Sequence, residues 1–194
     1  MSGVQSGSAS CMDPLKKIPT SLPDVFILEP RVFGDERGFF LESYNQKVFA
    51  DLGIAHQFVQ DNHSRSTRNV LRGLHYQVQH TQGKLVRVVE GEILDVAVDL
   101  RRSSPGFGKS VTVTLSGENK RVLWIPLGFA HGFRVVSPVA HVLYKSTDYY
   151  APEFERTLLW SDPELNIDWK LEGEPILSVK DQRGVSFRDA EYFE

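Results

Sequence analysis

The chain has 194 residues, enough for one domain or one domain with extensions. Its 24% charged residues, 15 glycines and 10 prolines are ordinary for a globular protein, and exclude disorder, collagen and a long coiled coil for most of the chain. A net charge of −3 gives no general positive field for nucleic acid or an anionic membrane, so any anionic ligand needs a local cluster of arginines.

Residues 1–14 begin with a Ser/Gly-rich stretch that has neither the basic start nor the apolar core of a secretory signal. They read as a flexible segment outside the fold, with Met12 as the natural start and 15–194 as a single domain. The lone Cys11 has no partner for an internal disulfide, which fits a reducing compartment. No apolar run reaches the roughly 20 residues of a membrane helix. The expectation is a soluble, cytoplasmic protein.

From residue 25 onward, short runs rich in Val, Ile, Leu and Phe alternate with turn residues. Strands are expected at 25–29, 39–43, 57–60, 70–76 and 85–89. Glu90-Gly91-Glu92 then reads as the turn of a hairpin into 93–100, where Asp95 and Asp99 share the face opposite Leu94, Val96, Val98 and Leu100. Further strands are expected at 109–115, 121–125, 131–136 and 140–147. Helix signal is scarce: Asn45 caps a short helix through Leu52, closed by Gly53, and a second is expected near 189–193. Ten short strands with few helices indicate an all-β antiparallel sandwich, barrel or jelly roll. Dinucleotide and phosphate-loop fingerprints are missing.

Six histidines are available: His56, His63, His75, His80, His131 and His141. His75 stands in Arg72-Gly73-Leu74-His75-Tyr76-Gln77, a strand-like run that puts Leu74 and Tyr76 opposite His75 and Gln77, with a bend expected at Gly73. His131 follows Pro126-Leu127-Gly128, a turn feeding a strand. These two segments resemble the paired motifs of the cupin superfamily of small jelly-roll barrels, many of which hold a metal. Here Gln77 replaces a ligand histidine, and Lys84 falls near the place of the ligand glutamate. A lysine cation opposes a divalent metal and Gln is a poor ligand, so no metal is expected.

Seven segments then occur in order over residues 25–189. They are Asp35-x-Arg37-Gly38-Phe39-Phe40-x-Glu42, Gln60-Asp61-Asn62, the His75 motif, Gly83-Lys84-Leu85-Val86-Arg87-Val88, the His131 motif, Tyr144-Lys145-x-Thr147-x-Tyr149-Tyr150, and Leu177-Ser178-x-Lys180-Asp181. The set resembles the dTDP-4-dehydrorhamnose 3,5-epimerase family. That resemblance implies a cupin-type jelly roll, a dTDP-linked 4-keto sugar as substrate, no cofactor, and a homodimer whose N-terminal strands join the partner's sheet.

Epimerisation beside a ketone needs a base, an acid on the opposite face of the ring, and a group at the ketone oxygen. By the resemblance His75 is the base, Asp181 its orienting partner, Tyr144 the acid and Lys84 the group at the oxygen. An imidazole exchanges protons near neutral pH, and a phenol stays protonated there. Arg37, Glu42, Gln60, Asn62, Arg72, His131, Glu155 and Lys180 are implied to contact the ligand, with Tyr150 stacking on its base. Arginine suits a pyrophosphate because its planar fork presents several donors. Three other readings stay open on sequence: an epimerase acting at one carbon only, a metal-dependent cupin, and a non-catalytic sugar-nucleotide binding module.

Overall fold

A computed structural model describes residues 15–194; the segment expected to be flexible, 1–14, lies outside them. Among the described residues, thirteen strands and two short α-helices follow one another. The strands are β1 (Leu15–Pro19), β2 (Phe26–Pro30), β3 (Val32–Asp35), β4 (Gly38–Leu41), β5 (Gln60–Thr67), β6 (Leu71–Gln77), β7 (Lys84–Glu90), β8 (Glu92–Asp99), β9 (Ser110–Ser116), β10 (Val122–Ile125), β11 (Phe129–Val135), β12 (Val139–Ser146) and β13 (Glu155–Thr157). The helices are α1 (Gln46–Asp51) and α2 (Val179–Gln182).

The strands form a six-stranded sheet in the order β1-β2-β10-β7-β12-β5 and a five-stranded sheet in the order β13-β6-β11-β8-β9, while β3 and β4 pair only with each other. Every ladder between these strands is antiparallel. Two such sheets face to face make the jelly-roll architecture expected from the sequence.

Between the sheets, Val86, Leu123 and Val142 of one meet Ile93, Val113 and Phe133 of the other. Each sheet is also covered outside. Phe49 of α1 and Ile54 pack on Leu28 and Trp124 of the six-stranded sheet. Leu158, Leu165 and Trp169 pack on Leu74, Val96 and Leu100 of the five-stranded one. Each such aliphatic side chain contributes about 1.5–3 kcal/mol on burial. β8 is therefore buried on both faces, and its alternation separates two cores rather than core from solvent. Asp95 and Asp99, both fully buried, lie on the inter-sheet side.

The expected cap of α1 is present: Asn45 Oδ1 accepts from the N–H groups of Lys47 and Val48, and Gly53 follows with φ +95°. Three expectations are corrected. The turn at Gly91 is not a hairpin, because β7 pairs with β10 and β12 while β8 pairs with β9 and β11. It is an arch that carries the chain across the core. Gly91 has φ +78°, and a Cβ there would lie 2.0 Å from the Val139 carbonyl oxygen. Positive φ in a tight turn looks the same from the sequence in either case, and only the distant partners decide. The strand placed at 57–60 begins only at Gln60 and runs to Thr67. Its inward residues Gln60, Asn62, Ser64 and Ser66 are polar, so no apolar alternation marks it. The helix placed at 189–193 is instead one 3-10 turn, Phe187–Asp189, capped by Ser186, after which Phe193 bridges Arg101 in extended form. Among the described residues no helix is long and apolar enough to cross a membrane.

Candidate active site

A cavity of about 340 Å³ opens between the two sheets. The six-stranded sheet lines it with Gln60, Asn62 and Ser64 of β5, Lys84 of β7 and Tyr144 of β12. The five-stranded sheet contributes Arg72, His75 and Gln77 of β6, His131 of β11 and Glu155 of β13. Tyr150 and Lys180 also line it. Asp181 stands behind His75. Arg37 and Glu42 are not brought there: Arg37 pairs with Asp35 beside its own hairpin, and Glu42 is exposed beyond β4.

Local chain geometry explains why Arg72 and His75 share one face. They are three residues apart, and a regular strand would point them to opposite sides. On β11, His131 opposes His75 and Phe133 opposes Arg72, so β6 carries one residue more than its partner. This is a β-bulge, which re-aims side chains next to it. It requires Gly73: φ there is +116°, and a Cβ would meet Gly132 Cα at 2.5 Å and the His131 carbonyl oxygen at 2.7 Å. The bulge also turns the Gly73 N–H toward Asp181 Oδ1, to which it donates at 3.2 Å.

His75 Nε2 lies 2.6 Å from the same Oδ1. Ser178, the cap of α2, donates from its hydroxyl to Asp181 Oδ2 at 2.6 Å. Burial tends to raise the Asp181 carboxyl, but its bonds to His75, Ser178 and Gly73 and the His75 charge hold it down to about 2. For His75 burial dominates and lowers the imidazole below its usual value, against the Asp181 bond. The imidazole is thus neutral at neutral pH. With Nε2–H donating to the carboxylate, Nδ1 keeps the free lone pair.

Burial also brings the Lys84 ammonium down to about 8, opposed by the charges of Glu155 and Asp95. It remains largely charged at neutral pH. Burial raises the Tyr144 phenol, with Arg72 pulling the other way, so Tyr144 stays protonated. The cavity therefore holds a neutral imidazole on one sheet, and an un-ionised phenol with a buried cation on the other.

The sequence matches the family model described as dTDP-4-dehydrorhamnose 3,5-epimerase over residues 19–189. The chain belongs to that family. It is 60% identical over 180 residues to the dTDP-4-dehydrorhamnose 3,5-epimerase of Pseudomonas aeruginosa, covering 92% of this chain and 99% of the relative. Among solved structures it resembles a dTDP-6-deoxy-D-glucose-3,5-epimerase from Legionella pneumophila in complex with dTDP-4-keto-L-rhamnose. That match has a TM-score of 0.90 at 53% identity and covers 91% of this chain and 95% of the other. A 3'-monoepimerase from Streptomyces bikiniensis in complex with dTDP-quinovose matches with a TM-score of 0.82 at 31% identity, covering 88% and 87%.

Within this dTDP-4-dehydrorhamnose 3,5-epimerase fold, the cupin metal positions do not suit a divalent cation. His131 Nε2 lies 3.0 Å from both oxygens of Asp95, Lys84 brings a buried cation, and the Gln77 carboxamide is bonded to backbone groups. No group of three His, Cys, Asp or Glu side chains among the described residues is placed to hold a metal. Sequence reasoning missed Asp95, although a carboxylate amid the apolar run of β8 was the available signal. It also missed Ser64. The Ser64 Oγ and Asn62 Nδ2 are buried without a partner among the described residues, and both residues line the cavity. Glu155 accepts from Lys180 Nζ and from the Tyr150 hydroxyl, both at 2.8 Å. Arg72 is steadied by Ser66, which accepts from its Nε at 3.1 Å.

Proposed function

We propose that the chain converts dTDP-4-dehydro-6-deoxyglucose to dTDP-4-dehydrorhamnose by inverting the two carbons that flank the ketone. The observation that carries this reading is the facing of His75 and Tyr144 from opposite sheets across one cavity, with Lys84 between the charges of Glu155 and Asp95. His75 Nδ1 takes the proton from the carbon beside the ketone, and the electron pair moves onto the ketone oxygen as an enolate. The imidazolium that forms is balanced by Asp181. Lys84 donates to the enolate oxygen; one fixed donor at such a site lowers the barrier by on the order of 3 kcal/mol. Tyr144 then delivers its phenolic proton to the other face. The tyrosinate takes a proton back from solvent while the His75 imidazolium releases its own, so both residues return to their starting states. The same sequence at the second carbon completes the product. No hydride moves, and these residues supply each proton step.

Arg72 and Lys180 supply positive charge for the pyrophosphate, and Tyr150, half exposed at the rim, stacks on the base. Arg37 and Glu42 reach a ligand by another route. The β3–β4 hairpin exposes Val32, Phe33, Phe39 and Phe40, an apolar patch that the described residues touch only through the cations of Arg31 over Phe33 and Lys120 over Phe39. The reading is a homodimer in which each hairpin lies against the partner and delivers Arg37 and Glu42 to the partner's cavity. A single cysteine in the whole chain and a nucleotide-sugar substrate fit a cytoplasmic enzyme.

The test is incubation of the protein with dTDP-4-keto-6-deoxyglucose in deuterated water. Deuterium at both carbons beside the ketone, with inversion, is expected. Exchange at one carbon indicates a monoepimerase, and binding without exchange indicates a non-catalytic module.

A further inference from the structure

Gln77 stands on β6 two residues beyond His75, where the cupin pattern places a metal ligand. It is 3% exposed, and its carboxamide makes three hydrogen bonds to backbone groups. Nε2 donates to the carbonyl oxygens of His80 at 2.7 Å and Tyr149 at 3.2 Å, while Oε1 accepts from the Ala151 N–H at 2.9 Å. The last two groups flank Tyr150. Residues 149–151 belong to no strand or helix, so no ladder holds their backbone. Beyond Gln77, Gln60 Oε1 accepts from the Tyr150 N–H at 2.9 Å, the Tyr150 hydroxyl donates to Glu155 at 2.8 Å, and the Ala151 carbonyl accepts from the Phe154 N–H at 3.0 Å. Asp148 Oδ1 accepts from the Tyr149 N–H at 2.7 Å, and Gln82 Nε2 donates to the Asp148 carbonyl at 2.8 Å. Of these side chains Gln77 alone bonds to both residues that flank Tyr150. A carboxamide presents donors and an acceptor on one flat group, which neither a carboxylate nor an apolar chain does.

We propose that Gln77 is a positioning residue for nucleotide binding: its buried carboxamide holds residues 149–151 so that Tyr150 meets the nucleotide base at the cavity rim. The proposal rests on the assignment of Tyr150 to base stacking made above. Losing Gln77 leaves two carbonyls and one N–H without their partner and lets the segment shift, while His75, Asp181, Lys84 and Tyr144 are anchored elsewhere. The chemistry of bound substrate should therefore persist as binding weakens.

The test is a double-mutant cycle with Gln77→Met, Tyr150→Ala and the pair, read by dTDP affinity in calorimetry and by kcat and KM on the keto sugar. Gln77→Met is expected to weaken dTDP binding ~10-fold, the scale of one or two lost hydrogen bonds. KM should rise in step, with kcat changed less than about threefold. Tyr150→Ala is expected to cost ~5- to 150-fold, the range for a base–aromatic stack. The double variant should bind no more weakly than Tyr150→Ala alone, because Gln77 acts through Tyr150. If Gln77→Met does not fold, Gln77→Glu, which keeps the acceptor and loses both donors, is read in the same way. Unchanged dTDP affinity in a folded variant, additive losses, or kcat falling with KM constant overturns the proposal. So does normal dTDP binding by Tyr150→Ala. A wild-type protein that neither exchanges nor inverts the substrate overturns the functional reading instead.

Discussion

Burial lowers the proton affinity of both His75 and Lys84, yet the two shifts bound activity from opposite sides of the pH scale. The base must be neutral, so kcat/KM should fall only as the pH drops below the ordinary imidazole value of about 6.5. The ammonium must be charged, so activity should fall again above about 8. A pH profile of kcat/KM checks both limbs. Lys84→Arg should move the alkaline limb upward, because a guanidinium keeps its charge. The Lys84 shift is also a stability statement. A lysine with a lowered folded pKa destabilises the native state at neutral pH, and the penalty fades as pH rises from about 8 to its ordinary value near 10.5. Lys84→Met should therefore raise the unfolding free energy measured in urea, by up to about 3 kcal/mol, while abolishing turnover. His75→Asn should remove both inversion and solvent exchange. Tyr144→Phe should separate the two. His75 can still form the enolate and return a deuteron to its own face, so exchange continues with retention while inverted product falls ~10²-fold or more. A tyrosine that only fills space would lose both together.

Two short elements set the base. The bulge at Gly73 aims His75 into the cavity and directs an N–H to Asp181, and α2 holds that carboxylate through Ser178. Gly73→Ala combines a strained φ with two backbone clashes, and is expected to cost ~2 kcal/mol or more with a fall in kcat. Ser178→Ala removes a cap and a hydrogen bond from Asp181, a loss of about 1 kcal/mol. It should also raise the carboxyl from about 2, shifting the acid loss of stability to higher pH. Circular dichroism across pH 2–5, about the window of a paired carboxylate, reads this. How far such elements show in the sequence depends on whether their cause is local. α1 was legible because Asn45, Phe49 and Gly53 act within one turn or two. α2, four residues long, has no periodicity to detect. The Gly91 arch was misread because a turn fixes the local backbone and not the partner strand. His75, Tyr144, Lys84 and Asp181 were named by motif, and the fold brings them together; Gln77 looked like a broken ligand because its partners are backbone groups that no sequence reveals.

At the scale of the molecule, the exposed β3–β4 hairpin bears on the proposed assembly. Phe39→Ser with Phe40→Ser should shift the protein from dimer to monomer in light scattering. If the proposed dimer forms as described, the same substitutions should also weaken dTDP binding, since Arg37 and Glu42 would then no longer reach the partner's cavity. Turnover should survive exhaustive EDTA, because His75 and His131 are each engaged by a carboxylate and Lys84 is cationic. β6, which carries His75, belongs to the five-stranded sheet and β12, which carries Tyr144, to the six-stranded one, so the proposed base and acid sit on separate layers. Packed sheets lie about 10 Å apart. In the proposed mechanism that spacing acts as a gauge for the thickness of one sugar ring, and stereochemical outcome depends on the gap as well as on the two side chains. A core substitution remote from the substrate that widens the gap, such as a larger residue at Val113 or Val142, should let the enolate form yet delay its capture from the far side. The symptom would be excess isotope exchange per inversion, an error in fidelity arising where no residue touches the sugar.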